Sequence, residues 1–134
     1  MCNNILSDYK VGNVNLIDAQ RIMLDILNVY SQICDKNNLN YWLGSGTLLG
    51  AVRHKGFIPW DDDLDVMMPR QDYERFLKIA KDFLPENIFL QTKITDKHYN
   101  RDFAKLRDKN SKIIEPSEKR RANYHQGLFI DIFP

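Results

Sequence analysis

The stretch Asp61-Asp62-Asp63-Leu64-Asp65-Val66-Met67-Met68 restricts the fold more than any other part of the chain, because it alternates carboxylates with apolar side chains. Side chains on a strand alternate between its two faces, so Asp63 and Asp65 share one face while Leu64 and Val66 take the other. The spacing predicts a strand over Leu64 to Met68, closed by Pro69, with a core on one side and two converging carboxylates on the other. Such a pair repels at neutral pH unless a proton or a cation intervenes, and Mg²⁺ is the hard cation that suits carboxylate oxygens. Asp61 has the same parity if the extended backbone begins early, and otherwise caps the loop after Trp60. A calcium loop starting at Asp61 fits poorly: Val66 falls where the tight-turn glycine belongs, Pro69 in the middle, and Asp72 where a glutamate is expected.

Upstream, Tyr41 to Leu43 reads as a short strand, Gly44-Ser45-Gly46 breaks it, and Thr47 to Arg53 reads as a helix. A glycine turn at a helix start can offer backbone N–H groups and a hydroxyl to a phosphate, although such turns are common and the motif alone is weak. Arg53 can grip phosphate oxygens two at a time; the bland alternative is a cation complementing the helix C-terminus. Asp131 sits between Ile130 and Ile132, where a carboxylate reaches a metal, pairs with a cation or faces solvent, and periodicity does not choose.

Ala19, Ile22, Met23, Ile26, Leu27, Tyr30, Ile33 and Cys34 recur at three- and four-residue steps, which predicts a helix capped by Asn15 and ending near Asn37-Asn38. Tyr73, Phe76, Leu77, Ala80, Phe83 and Leu84 mark a second amphipathic helix ending at Pro85. Short strands are expected at Ile88 to Thr92, Phe103 to Leu106 and Leu128 to Phe133. Residues 1 to 14 read as a leader, a short helix or unpacked, and residues 15 to 134 as one domain. At 134 residues and 43% hydrophobic content, one core is available and two are not. The net charge of +1 supplies no global field for nucleic acid, so none is expected as a partner. The basic run from Lys105 to Arg121 is interleaved with Asp108, Glu115 and Glu118 and reads first as solvated surface, with a contact to a donor or acceptor phosphate as the lesser alternative. No apolar run nears the roughly 18 residues of a membrane helix, and no signal peptide is visible, so a cytoplasmic location is expected. Cys2 and Cys34 lack metal spacing and read as free thiols, Cys34 in the core.

The run Tyr41-Trp42-Leu43-Gly44-Ser45-Gly46-Thr47-Leu48-Leu49-Gly50-Ala51-Val52-Arg53 and its continuation His54-Lys55-Gly56-Phe57-Ile58-Pro59-Trp60-Asp61-Asp62-Asp63-Leu64-Asp65 resemble the signature of LicD/fukutin-type phosphotransferases. Gly127-Leu128-Phe129-Ile130-Asp131-Ile132-Phe133-Pro134 resembles a second block of that family. The resemblance implies an α/β (α+β) nucleotidyltransferase-type fold, a mixed sheet flanked by helices, cut short after Pro134. It implies Asp63 and Asp65 as ligands of Mg²⁺, or of Mn²⁺, with Gly44, Ser45 and Gly46 near phosphate. Asp131 takes the third acidic strand position, and Asp131 or Asp61 accepts the acceptor's proton. The implied reaction moves a phosphorylated alcohol, phosphocholine from CDP-choline above all, to a hydroxyl of a surface glycan or teichoic acid. Its acceptor is lipid-linked in one version, at the inner membrane face of a bacterium. Two alternatives are a non-catalytic nucleotide- or partner-binding domain and a nucleotidyltransferase acting on a sugar phosphate.

Overall fold

A computed structural model describes residues 10–11, 14–115 and 122–134. Strands β1 (Lys10–Val11) and β2 (Val14–Asn15) pair antiparallel, so the leader, expected as a helix or unpacked, carries a small ladder instead. In that ladder Lys10 pairs with Asn15 and Val11 with Val14. Helix α1 (Leu16–Lys36) follows; Asn15 caps it by accepting the Asp18 N–H at 2.9 Å. It ends as the asparagines predict, with Asn38 left-handed at φ 53°.

The remaining elements are β3 (Trp42–Leu43), α2 (Ser45–His54), β4 (Asp65–Met67), α3 (Arg70–Phe83), β5 (Ile88–Gln91), β6 (Ala104–Asp108) and β7 (Phe129–Phe133). Strands β3 to β7 form one sheet in the order β3-β4-β7-β6-β5. Only β4 and β7 run parallel; the other pairings are antiparallel, which makes the sheet mixed and the fold α+β. One start differs from expectation. Helix α2 begins at Ser45 rather than Thr47, because the Gly44 carbonyl already accepts the Leu48 N–H at 3.1 Å. Helix α3 begins at Arg70, since the Pro69 carbonyl takes the Tyr73 N–H at 2.9 Å.

One face of the sheet is dry. Leu64, Val66, Met68, Ala104, Leu106, Ile130 and Ile132 point from it into Met23, Ile26, Tyr30 and Ile33 of α1 and Tyr73, Phe76 and Ala80 of α3. Phe76 is fully buried, and its truncation to alanine would cost roughly 3–5 kcal/mol. Cys34 lies in this core, a free thiol as expected, and burial pushes it up to about 11, so it is inert; Cys2 lies outside the described residues. Among the described residues no helix is long and apolar enough to cross a membrane.

The opposite face carries the polar side chains, and the register aligns them. Asp65 faces Asp131 across β4 and β7, Asp131 faces Lys105 across β7 and β6, and Lys105 faces Gln91 across β6 and β5. Directly opposed residues on neighbouring strands share a face. The result is one transverse row, Asp65–Asp131–Lys105–Gln91, running across four strands.

Candidate functional site

The predicted parity of β4 holds. Leu64, Val66 and Met68 are buried at 2%, 0% and 2% exposure, while Asp63 is exposed and Asp65 half-buried on the other face. The ladder begins at Asp65, so Asp63 precedes it, although the Asp131 N–H already reaches the Leu64 carbonyl at 2.9 Å. Asp61, Asp62 and Asp63 bring carboxylate oxygens within 4.8 Å of one another. Asp65 is outside that trio and is joined to Asp131 by register.

Backbone bonds hold this acidic segment from both sides. The Asp61 N–H donates to the Ile58 carbonyl at 2.9 Å, and the Gln20 amide on α1 donates to the Asp61 carbonyl at 2.8 Å. The Asp61 carboxylate accepts the Asp63 N–H at 3.2 Å, so it closes the turn and still presents its second oxygen. That oxygen lies 3.0 Å from where a Cβ on Gly46 would stand. Thr47 Oγ1 accepts the Asp65 N–H at 2.9 Å, and the Gly44 N–H donates to the Asp65 carbonyl at 3.0 Å. A Cβ on Gly44 would come within 2.9 Å of Met67 Cγ, so the bare α-carbon lets the α2 start sit on β4.

These bonds refine the expected phosphate cradle. The Gly44 N–H is taken by Asp65, and the Ser45 hydroxyl bonds the Asp65 carboxylate. Ser45 holds a left-handed φ of 49°, a strain of order 1–3 kcal/mol for a residue with a side chain. The first turn of an α-helix leaves its N–H groups without intrahelical partners, so Ser45, Gly46 and Thr47 supply the open donors. Arg53 is exposed in the last turn of α2, about 12 Å of axial rise from Ser45.

Electrostatics mark the carboxylates as crowded. Partial burial, then repulsion from Asp62, Asp61, Asp65 and Asp131, pushes Asp63 up to about 6. Burial, then Asp131 and Asp61, pushes Asp65 up to about 6, with Lys105 and Ser45 pulling it back. Burial also raises Asp131, opposed first by Lys105 and then by Arg107 and Arg101. Hard, acceptor-only oxygens that repel one another fit a small divalent cation such as Mg²⁺, whose charge relieves what raises them.

Sequence reasoning missed Lys105, Thr47 and Arg107. Lys105 Nζ donates to Asp131 Oδ1 at 2.6 Å and lies 3.5 Å from the Phe129 ring centre; its side chain is 6% exposed. Within the Lys105 to Arg121 run it looks like one more solvated cation, and strand parity with Asp131 was the signal that could have separated it. Arg107 is buried at 1% exposure; it donates to the Gln91 side chain and to the Gly127 carbonyl, both at 2.7 Å. Lys119, Arg120 and Arg121, from the same run, lie outside the described residues.

Residues 38–134 match the family described as LicD/FKTN/FKRP, nucleotidyltransferase domain. The lipopolysaccharide cholinephosphotransferase LicD of Haemophilus influenzae is 36% identical over 121 residues, 90% of this chain and 44% of that protein. An uncharacterised protein of Rickettsia typhi is 40% identical over 79 residues, 58% of this chain and 26% of its own length. The human ribitol 5-phosphate transferase FKRP is 42% identical over 40 residues, 30% of this chain and 8% of that protein. The chain therefore spans less than half the length of these relatives. A match over most of its residues, covering both the α2–β4 acidic segment and β7, places it: the chain belongs to the LicD/FKTN/FKRP nucleotidyltransferase-domain family.

Proposed function

We propose that this domain transfers a phosphorylated alcohol, phosphocholine from CDP-choline, to a hydroxyl of a cell-surface glycan on the cytoplasmic side of the membrane. The observation that carries this reading is the convergence of Asp61, Asp62 and Asp63 with the Asp65–Asp131 pair beside the open first turn of α2. Asp63 and Asp65 would hold Mg²⁺, and Mn²⁺ would serve the same oxygens. When bound, the ion offsets the charge of the donor's diphosphate and of the departing phosphate. The N–H groups of Ser45, Gly46 and Thr47 bind phosphate oxygens at the helix N-terminus.

The acceptor oxygen attacks the phosphorus that carries choline, the bond from that phosphorus to CMP breaks, and CMP leaves with the bridging oxygen. Asp131 takes the acceptor's proton: its raised affinity for protons makes it a better base than an ordinary carboxylate, and Lys105 fixes its orientation. The similarity to LicD favours choline, and the shorter similarity to FKRP makes ribitol phosphate the second donor to try. The test is metal-dependent CMP release from CDP-choline with a glycan or teichoic-acid acceptor. Release that needs Mg²⁺ and is lost in Asp63→Ala and Asp65→Ala supports the reading; no release with any cytidine-diphosphate donor in a chain carrying the whole family unit sinks it.

A further inference from the structure

The turn that leads into the acidic segment sits between two helices. Ile58, Pro59, Trp60 and Asp61 form a β-turn that the Asp61 N–H closes on the Ile58 carbonyl at 2.9 Å, and Pro59 presets the backbone at its second position. Helix α2 takes one side of it. A Cβ on Gly50 would come within 2.5 Å of the Gly56 carbonyl oxygen and 3.3 Å of Ile58 Cγ1, so the bare α-carbon lets the backbone entering the turn lie against the helix. Helix α1 takes the other side through Gln20. The Gln20 amide donates to the Asp61 carbonyl at 2.8 Å and, more weakly, to the Ile58 carbonyl at 3.4 Å, so one NH₂ group clasps both ends of the turn.

Asp61 passes its position on. Its carboxylate accepts the Asp63 N–H at 3.2 Å, so the Asp63 backbone follows that of Asp61. Asp65 is held differently, by the Thr47 hydroxyl on its N–H and the Ser45 hydroxyl on its carboxylate, both from α2. The two carboxylates read as metal ligands therefore answer to different helices, Asp65 to α2 and Asp63 to α1. Gln20 is half-buried in the second turn of α1, and that end of the helix is anchored, since Leu16 and Ala19 are buried with Ile113, Leu128 and Phe129. A site for one small cation needs its oxygens held to within about 0.5 Å by groups whose own positions are locked by packing and hydrogen bonds. Gln20 supplies such a hold from a packed helix, 41 residues away in sequence.

We propose that Gln20 is a positioning residue for the metal site: from α1 it sets the turn at Asp61, and through Asp61 the placement of Asp63 relative to Asp65, so that both carboxylates close on the same cation. The inference rests on the reading of Asp63 and Asp65 as Mg²⁺ ligands and adds the residue that fixes one of them against the other. Without the clasp the Asp61 and Ile58 carbonyls turn to water and the turn gains freedom against α1. The carboxylates must then be ordered as the cation binds, which lowers its affinity while leaving the set of ligands unchanged.

The test is Mn²⁺ binding to the 134-residue chain, read by electron paramagnetic resonance, for the wild type, Gln20→Met and Ile33→Val, with a thermal melt of each metal-free protein. Gln20→Met keeps the length of the side chain and loses the donor, whereas Ile33→Val trims the core face of the same helix. Gln20→Met should bind Mn²⁺ about tenfold more weakly, the lower end of what outer partners of metal ligands contribute. Ile33→Val should bind like the wild type despite its own loss of stability. Gln20→Met that binds like the wild type, or Ile33→Val weakened as much as Gln20→Met, overturns the role. So does failure of both Gln20→Met and Gln20→Ala to fold, which would make the clasp purely structural. A wild-type chain that binds no Mn²⁺ sinks the metal site itself; a wild type that binds, with Gln20→Met equal to it, removes only the positioning role.

Discussion

Asp65 and Asp131 stand directly opposite each other on the parallel β4–β7 pair, and Lys105 opposes Asp131 from the other side. The lysine therefore serves as a fixed internal cation for a row that holds two carboxylates. It reaches Asp131 directly and Asp65 only through space, which leaves the acidic end of the row open to an added cation.

Replacing Lys105 by methionine should destabilise the domain by roughly 3–5 kcal/mol at pH 8, because a buried carboxylate then loses its partner. Burial already raises Asp131, and without Lys105 nothing equal opposes it. A raised carboxylate favours the folded state below its unfolded value, about 4, and loses that contribution as pH climbs. The defect should thus shrink at pH 5, and Lys105→Met with Asp131→Asn should recover much of it. Urea denaturation of both variants at the two pH values reads this; a pH-independent defect would count against the pair.

Asp63 and Asp65 are each pushed from 3.8 up to about 6 by burial and neighbouring carboxylates. Their contribution to stability is complete below about pH 4 and disappears as pH rises through 6, the reverse of a salt-bridged carboxylate. Without metal, Asp65→Asn should melt about 3–5 °C above wild type at pH 7.5, on the order of 1 kcal/mol once solvent screening is allowed for. Millimolar Mg²⁺ should raise the wild-type melting point at pH 7.5, raise it little at pH 5, and leave Asp65→Asn unmoved. Equal Mg²⁺ shifts in both proteins would contradict the assignment of Asp65 as a ligand.

Thr47→Val removes the acceptor of the Asp65 N–H while keeping the side chain's shape. An unsatisfied, partly buried N–H costs about 1–3 kcal/mol, and Asp65 loses one of its positioning bonds. The variant should fold, bind Mg²⁺ more weakly by calorimetry, and show Thr47→Ser closest to wild type.

Gly127→Ala should prevent stable folding. A Cβ there would overlap the Asp108 carbonyl oxygen, while the Gly127 carbonyl holds the buried Arg107 guanidinium. Backbone and a buried cation cannot both give way, so the loss should exceed about 3 kcal/mol, visible as an early circular-dichroism melt. A near-normal melt would show that β6 and the 122–128 segment can separate cheaply.

Local patterning made several features readable from the chain alone. The cap at Asn15, the end of α1 at Asn37 and the face parity of Asp63 and Asp65 follow from contacts within a few residues. The periodic apolar residues of α1 and α3 likewise named most of the core that covers one face of the sheet. The start of α2 was misjudged by two residues because Ser45 takes a left-handed backbone that its side chain does not favour, held there by its contacts with β4.

The alternatives for Asp131, by contrast, could not be separated by periodicity, since its role depends on which strands flank β7. The strand order β4-β7-β6 set Asp131 between a carboxylate and a lysine that are 66 and 26 residues away. The sequence by itself determined which residues could point to one side of each strand, because alternation is built into an extended backbone. Only the tertiary structure decided that Asp65, Asp131, Lys105 and Gln91 form one row and that Lys105 closes on Asp131 within it. Those choices depend on long-range pairing and register, and a one-residue slip in register would have turned every one of those side chains to the other face.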